Sequence, residues 1–134
     1  MLIGLTHVAI AVQDLDASLA FYKKIPGIEE KFRLLFDDGT VRLVLLEVAP
    51  RQFLELFPGA KSPYQASTSA GPMHICLEVD DIHAMHRQIL QHGIQPDADP
   101  RMGADHSMQF WINDPDGNPI EFHQFTKDSV QTKA

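Results

Sequence analysis

The sequence predicts an α+β fold of two β-α-β-β-β modules that together form a cup-shaped mixed sheet, and three observations predict it. The first is a near-repeat: Leu5–Leu15 reads L-T-H-V-A-I-A-V-Q-D-L and Gly71–Asp81 reads G-P-M-H-I-C-L-E-V-D-D, each an apolar alternation around one histidine, with an aspartate seven residues after it. The second is that a helix-like segment follows each copy and ends in Gly-Ile, at Gly27-Ile28 and at Gly93-Ile94. The third is a glutamate inside an apolar strand-like run at nearly the same distance from each histidine: Glu55 is 48 residues after His7, and Glu121 is 47 after His74. Matched positions in two half-chains let these four side chains converge on one point.

Length and composition set the limits. A chain of 134 residues can build a core without disulfides, and is expected as one domain over residues 1–126, with module one at 1–58, a linker at 59–71, module two at 72–126 and a polar tail at 127–134. The formal charge of −7 excludes the basic stripe that nucleic acid requires. The single cysteine, Cys76, excludes an internal disulfide and fits a reducing compartment. No leader-like segment opens the sequence and no run approaches the roughly 20 apolar residues that span a bilayer. The expectation is a cytoplasmic protein without nucleic-acid or membrane partners.

The elements follow in order. Leu2–Val12 alternates and is rich in aliphatic and β-branched residues, so it reads as a strand with His7, Ala9 and Ala11 on one face and Val8, Ile10 and Val12 on the other. Asp14 is placed to cap a helix over Leu15–Ile25, with Leu15, Leu19 and Tyr22 inward, until Pro26 and Gly27 stop it. Ile28–Phe36 and Val41–Val48 form a hairpin around Asp37-Asp38-Gly39. Arg51–Phe57 gives a further strand on which Phe53, Glu55 and Phe57 share a face. In module two, Met73–Val79 is a strand and Asp81 caps a helix over Ile82–His92, with Ile82, Met85 and Ile89 inward and His83 and His86 outward. Gln95–Asp105 holds a short strand and a mobile loop. Ser107–Asn113 and Pro119–Phe125 form a hairpin around Asp114-Pro115-Asp116-Gly117-Asn118, a dense turn signal. Residues 127–134 are expected to fray.

Imidazole nitrogens and carboxylate oxygens are the donors that a borderline divalent ion takes, so His7, Glu55, His74 and Glu121 are the candidate ligands of one Zn, Ni, Fe, Co or Mn ion. Four protein ligands around a six-coordinate ion leave two positions for neighbouring oxygens of a small-molecule substrate. A carbonyl held there is polarised and the carbon beside it becomes acidic, with Glu121 or Glu55 as the candidate base. His123 shares a face with Glu121 and is a candidate rim residue, Cys76 reads as an inert core thiol, and Trp111 as core.

The segments T-H-V-A-I-A-V-Q-D-L-D-A-S-L-A-F-Y, F-L-E-L-F, M-H-I-C-L-E-V-D-D-I and F-W-I-N-D-P-D-G-N-P-I-E-F resemble the vicinal-oxygen-chelate superfamily, the glyoxalase I, bleomycin-resistance and extradiol-dioxygenase fold, over roughly Leu2 to Thr126. In metal-ligand pattern the nearest resemblance is to glyoxalase I, whose His, Glu, His, Glu set matches His7, Glu55, His74 and Glu121. The resemblance implies a metal-dependent lyase or isomerase that moves a proton on a chelated 2-oxoaldehyde–thiol adduct through an enediolate. It also implies alternatives: an acyl-CoA epimerase of the methylmalonyl-CoA type, an extradiol dioxygenase, or a non-catalytic binder of bleomycin-resistance type. Glutathione-dependent glyoxalases of bacterial type carry an arginine and an asparagine where Ala11 and Gly59 stand here, which implies a different thiol or acyl carrier. Relatives commonly pair modules across a homodimer, so a homodimer is expected.

Overall fold

The computed structural model describes residues 1–66 and 68–133; Ser67, in the expected linker, and Ala134, ending the expected tail, lie outside the described residues. The chain divides into two compact units, Met1–Pro63 and Tyr64–Ala134. The fold class is α+β, with one four-stranded mixed sheet and one α-helix in each unit.

The first unit contains β1 (His7–Val12), α1 (Leu15–Tyr22), β2 (Glu29–Leu35), β3 (Val41–Ala49) and β4 (Gln52–Pro58), in sheet order β1-β4-β3-β2. β1 runs parallel to β4, and the other pairings are antiparallel. The Asp14 side chain accepts the Ala17 N–H at 3.0 Å and so starts α1, satisfying one of the free donors of the first turn. α1 stops three residues short of the expected Ile25, because the Lys24 and Ile25 N–H groups turn back to the carbonyls of Phe21 and Tyr22; such i→i−3 bonds tighten and end a helix. At Gly27 the backbone is left-handed, with φ +90°, a conformation that glycine adopts at little cost.

β1 begins at His7 rather than at the expected Leu2. Its ladder partner β4 starts at Gln52, and the Phe53 N–H donates to the Thr6 carbonyl at that end, so among the described residues no strand lies beside the alternating residues 2–5. Leu2, Ile3 and Leu5 are exposed. One face of the sheet is buried by Ile10, Val12, Val44, Leu46, Leu54 and Leu56, and α1 adds Leu19 and Tyr22; each such side chain contributes roughly 1.5–3 kcal/mol on burial.

The second unit contains β5 (Ile75–Glu78), α2 (Ile82–Gln91), β6 (Arg101–Met102), β7 (Met108–Asn113) and β8 (Pro119–Gln124), in sheet order β5-β8-β7-β6. The pattern of the first unit recurs: β5 runs parallel to β8 and the rest is antiparallel. The Asp81 side chain accepts the Ala84 N–H at 2.9 Å, as Asp14 does for Ala17. The β7–β8 turn is built as its residues dictate: Asp114 Oδ1 accepts the N–H groups of Asp116 and Asn118, and Gly117 takes φ +84°. Phe110, Ile112, Ile120 and Phe122 are buried toward α2, together with its Ile82 and Ile89.

Two expectations are corrected here. His86 lies on the inner face of α2, not the outer, with its ring edge-on to Phe110 at 5.0 Å; a helix of ten residues that covers two strands presents a wider inward stripe than the three aliphatics alone supply. The C-terminal segment is not frayed. A 3-10 turn at Val130–Thr132 follows Ser129, whose buried hydroxyl bonds that of Ser107 at 2.7 Å, and the Val130 N–H donates to the Asp105 carbonyl.

Candidate metal centre

Register decides where each histidine and glutamate meet. In the first unit Glu55 is the direct partner of Ala9, two residues beyond His7; in the second, Glu121 is the partner of Cys76, two residues beyond His74. Side chains two apart on a strand share a face, so both units place a histidine and a glutamate on the face away from the helix. His7 Nε2 lies 3.5 Å from Glu55 Oε2, and His74 Nε2 lies 3.3 Å from Glu121 Oε2.

Both pairs fit a divalent ion. Two donors bound to one ion at about 2.1 Å and at right angles are about 3 Å apart, close to both separations. His7 Nδ1 lies 3.1 Å from the Thr6 hydroxyl, a contact of the kind that orients a metal-binding imidazole, and its Nε2 is left toward Glu55. His74 is oriented by another means, the edge of Trp111 at 4.7 Å. Trp111, expected in the core, is the β7 partner of Glu121 and stands on the site face. Among the described residues no three His, Cys, Asp or Glu side chains gather into a group that could hold an ion, so the recognisable element in each unit is a two-ligand half-site.

The surroundings of the two pairs differ. Around Glu55 the same face carries Phe53, Phe57, Leu43, Leu45, Phe32 and Leu34. Glu121 instead sits in a cavity of about 580 Å³ whose walls include Gln109, His123 and Asp105. Cys76, expected in the core, is exposed and lines this cavity; desolvation of its thiol and the Glu121 carboxylate push its pKa up to about 12, so it stays protonated at neutral pH. His123 is buried, with Nε2 2.9 Å from Asp105 Oδ2. Asp105 also accepts from Gln131 and from the Ser107 N–H, and these bonds, Gln131's foremost, hold its carboxyl down at about 2. Sequence reasoning placed Asp105 at the end of a mobile loop and Gln131 in a frayed tail. The available signal was Thr126 and Ser129: the Ser129 hydroxyl accepts the Thr126 N–H, and both hydroxyls donate to the His106 carbonyl.

A family model for the Glyoxalase/Bleomycin resistance protein/Dioxygenase superfamily matches residues 4–122. The chain belongs to that superfamily. Among its curated relatives, the uncharacterised protein YwbC of Bacillus subtilis is 31% identical over 121 residues, covering 88% of this chain and 94% of YwbC. The mitochondrial methylmalonyl-CoA epimerase of Homo sapiens is 38% identical over 85 residues, 60% of this chain and 48% of that enzyme, so the match spans about half of the relative's length. Among solved structures, lactoylglutathione lyase from Agrobacterium tumefaciens superposes with a TM-score of 0.67 at 25% identity, covering 90% of this chain and 92% of that one. The superfamily thus includes a lyase and epimerases, and no helix of this member is long and apolar enough to cross a membrane among the described residues.

Proposed function

We propose that this superfamily member is a metal-dependent lyase or isomerase that transfers a proton at the carbon beside a carbonyl, with His7, Glu55, His74 and Glu121 as the ligands of one divalent ion. The observation that carries the reading is the duplicated half-site: the same register offset produces the same Nε2–Oε2 approach in both units. A core does not need such a pair twice, since burying a carboxylate is costly unless an opposite charge or a metal compensates it. When bound, the ion would polarise the substrate carbonyl and stabilise negative charge on its oxygen.

The chain's own residues do the rest. Glu121, with its side chain 11% exposed against 17% for Glu55, is the more sheltered carboxylate, stands in the cavity where a substrate would lie, and is the base of choice. His74, braced by Trp111, and His7, braced by Thr6, hold the two ends of the donor set. The substrate is a small molecule with two neighbouring oxygens, and the protein works as a homodimer.

Two reactions share this chemistry. A 2-oxoaldehyde–thiol adduct, as in glyoxalase I, is favoured by the full His, Glu, His, Glu set. An acyl-CoA epimerase is favoured by the epimerases among the relatives. Elemental analysis of the purified protein, repeated on His74→Ala, tests the centre: about one ion per donor set is expected, and loss in the variant. Thioester formation from methylglyoxal with several thiols, against solvent deuterium entering the α-carbon of acyl-CoA substrates, separates the reactions. A fully metal-loaded protein that does neither would end the proposal.

A further inference from the structure

The cavity beside His74 and Glu121 holds a second fixed anion that the metal chemistry does not use. Asp105 Oδ2 accepts from Gln131 Nε2 at 2.7 Å and faces His123 Nε2 at 2.9 Å, while Oδ1 accepts the Ser107 N–H at 3.2 Å. An ionised carboxylate only accepts, so the His123 proton sits on Nε2 and the ring adds no acceptor there. The loop that carries Asp105 is pinned from behind by the C-terminal turn, through the Val130 N–H and the buried Ser107–Ser129 hydroxyl pair. It also lies close to its neighbours: a Cβ on Gly103 would stand 2.9 Å from Asp105 Oδ1 and 3.1 Å from Gln109 Cδ. The carboxylate therefore has one position, at the cavity wall. Among the described residues no lysine or arginine lines the cavity, and its polar lining besides the two carboxylates includes His74, His123, Cys76 and the amides of Gln109 and Gln131.

We infer that Asp105, fixed by Gln131, is a specificity-determining residue that makes this cavity take an uncharged, hydrogen-bonding part of the substrate and reject an anionic one. The inference rests on the metal-centred reading above and deepens it by naming the substrate class. Like charges repel, most strongly at low ionic strength, whereas the two amides can pair with a carbonyl, hydroxyl or amide at no electrostatic cost.

The test uses the full chain loaded with Co²⁺ and two probes with the same chelating head, 4-carbamoylbenzohydroxamate and 4-carboxybenzohydroxamate, titrated by the visible cobalt spectrum. The carbamoyl probe is expected to bind about tenfold more tightly at low salt, and the preference to shrink as ionic strength rises. In Asp105→Asn the two affinities are expected to approach each other. Equal affinities in the parent protein, or a preference unchanged in Asp105→Asn, would overturn the assignment. Should that variant not fold, the parent's preference and its salt dependence still decide. Failure of the metal reading looks different: the parent would show no cobalt spectrum, or His74→Ala would keep it, and the cavity assignment would fall with the centre.

Discussion

The two units solve one geometric problem with different materials. Reading across the sheet at the glutamate, the first unit has Ala9, Glu55 and Leu45 side by side where the second has Cys76, Glu121 and Trp111. One step along, Ala11 and Phe57 stand where the second has Glu78 and His123, with Gln109 beyond. The histidine–glutamate pair is retained and the surroundings are not. Duplication fixed the backbone register that brings a histidine to a glutamate, while the neighbouring positions were free to become apolar in one unit and polar in the other. On the proposed function, ligand geometry and substrate selection are assigned to different residues on the same strands.

The largest expected effect breaks the equivalence of the halves. If both pairs hold one ion, His7→Ala and His74→Ala should each lower metal affinity by more than about a hundredfold, beyond the 10- to 100-fold that loss of a supporting contact costs, as read by competition with a chelator. A loss in one variant only would confine the ion to one unit. Next in size, Glu121→Gln should cut kcat by about a hundredfold or more with metal largely retained, since a positioned base contributes about 10²–10⁴; Glu55→Gln should cost less. The reverse order would move the base to the apolar unit.

The units also differ in what holds them at low pH. In the first, Arg33 and Lys23 hold the Glu30 carboxyl down at about 2 from 4.5; in the second, Asp105 is held at about 2 from 3.8. Both folded-state values are depressed, so their stabilisation is full above the unfolded values and is lost as pH falls from about 4.5 toward 2. Glu30→Gln should flatten the acid limb of the melting temperature in that window, and an unchanged limb would refute the role of Glu30. The smallest effect concerns Ser18 on α1, whose hydroxyl is buried with no hydrogen-bond partner among the described residues. Ser18→Ala should be neutral or stabilise by up to about 1 kcal/mol, measured by urea unfolding.

Much of the fold was legible because its signals are local. The caps at Asp14 and Asp81, the Asp114–Asn118 turn and the alternation in β3, β4, β7 and β8 each arise within a few residues, and the structure keeps them. The errors fell where a distant partner decides. Leu2–Leu5 has the pattern of a strand but, among the described residues, no strand beside it, and the tail has the polarity of a frayed end but is tied to the loop before β7. His86 was misplaced because an imidazole packs against Phe110 as readily as it faces water.

Taken alone, the sequence determined the duplication, the α+β class and the matched positions of two histidines and two glutamates, because periodicity and spacing are properties of the chain itself. The tertiary structure decided the environment of each of these residues: that His7 leans on Thr6 and His74 on Trp111, that Glu121 lies in a cavity, and that Asp105 and Gln131, 26 residues apart in sequence, meet at its edge. Those facts depend on hydrogen bonds and contacts between segments remote along the chain, and no local pattern encodes which remote segment arrives.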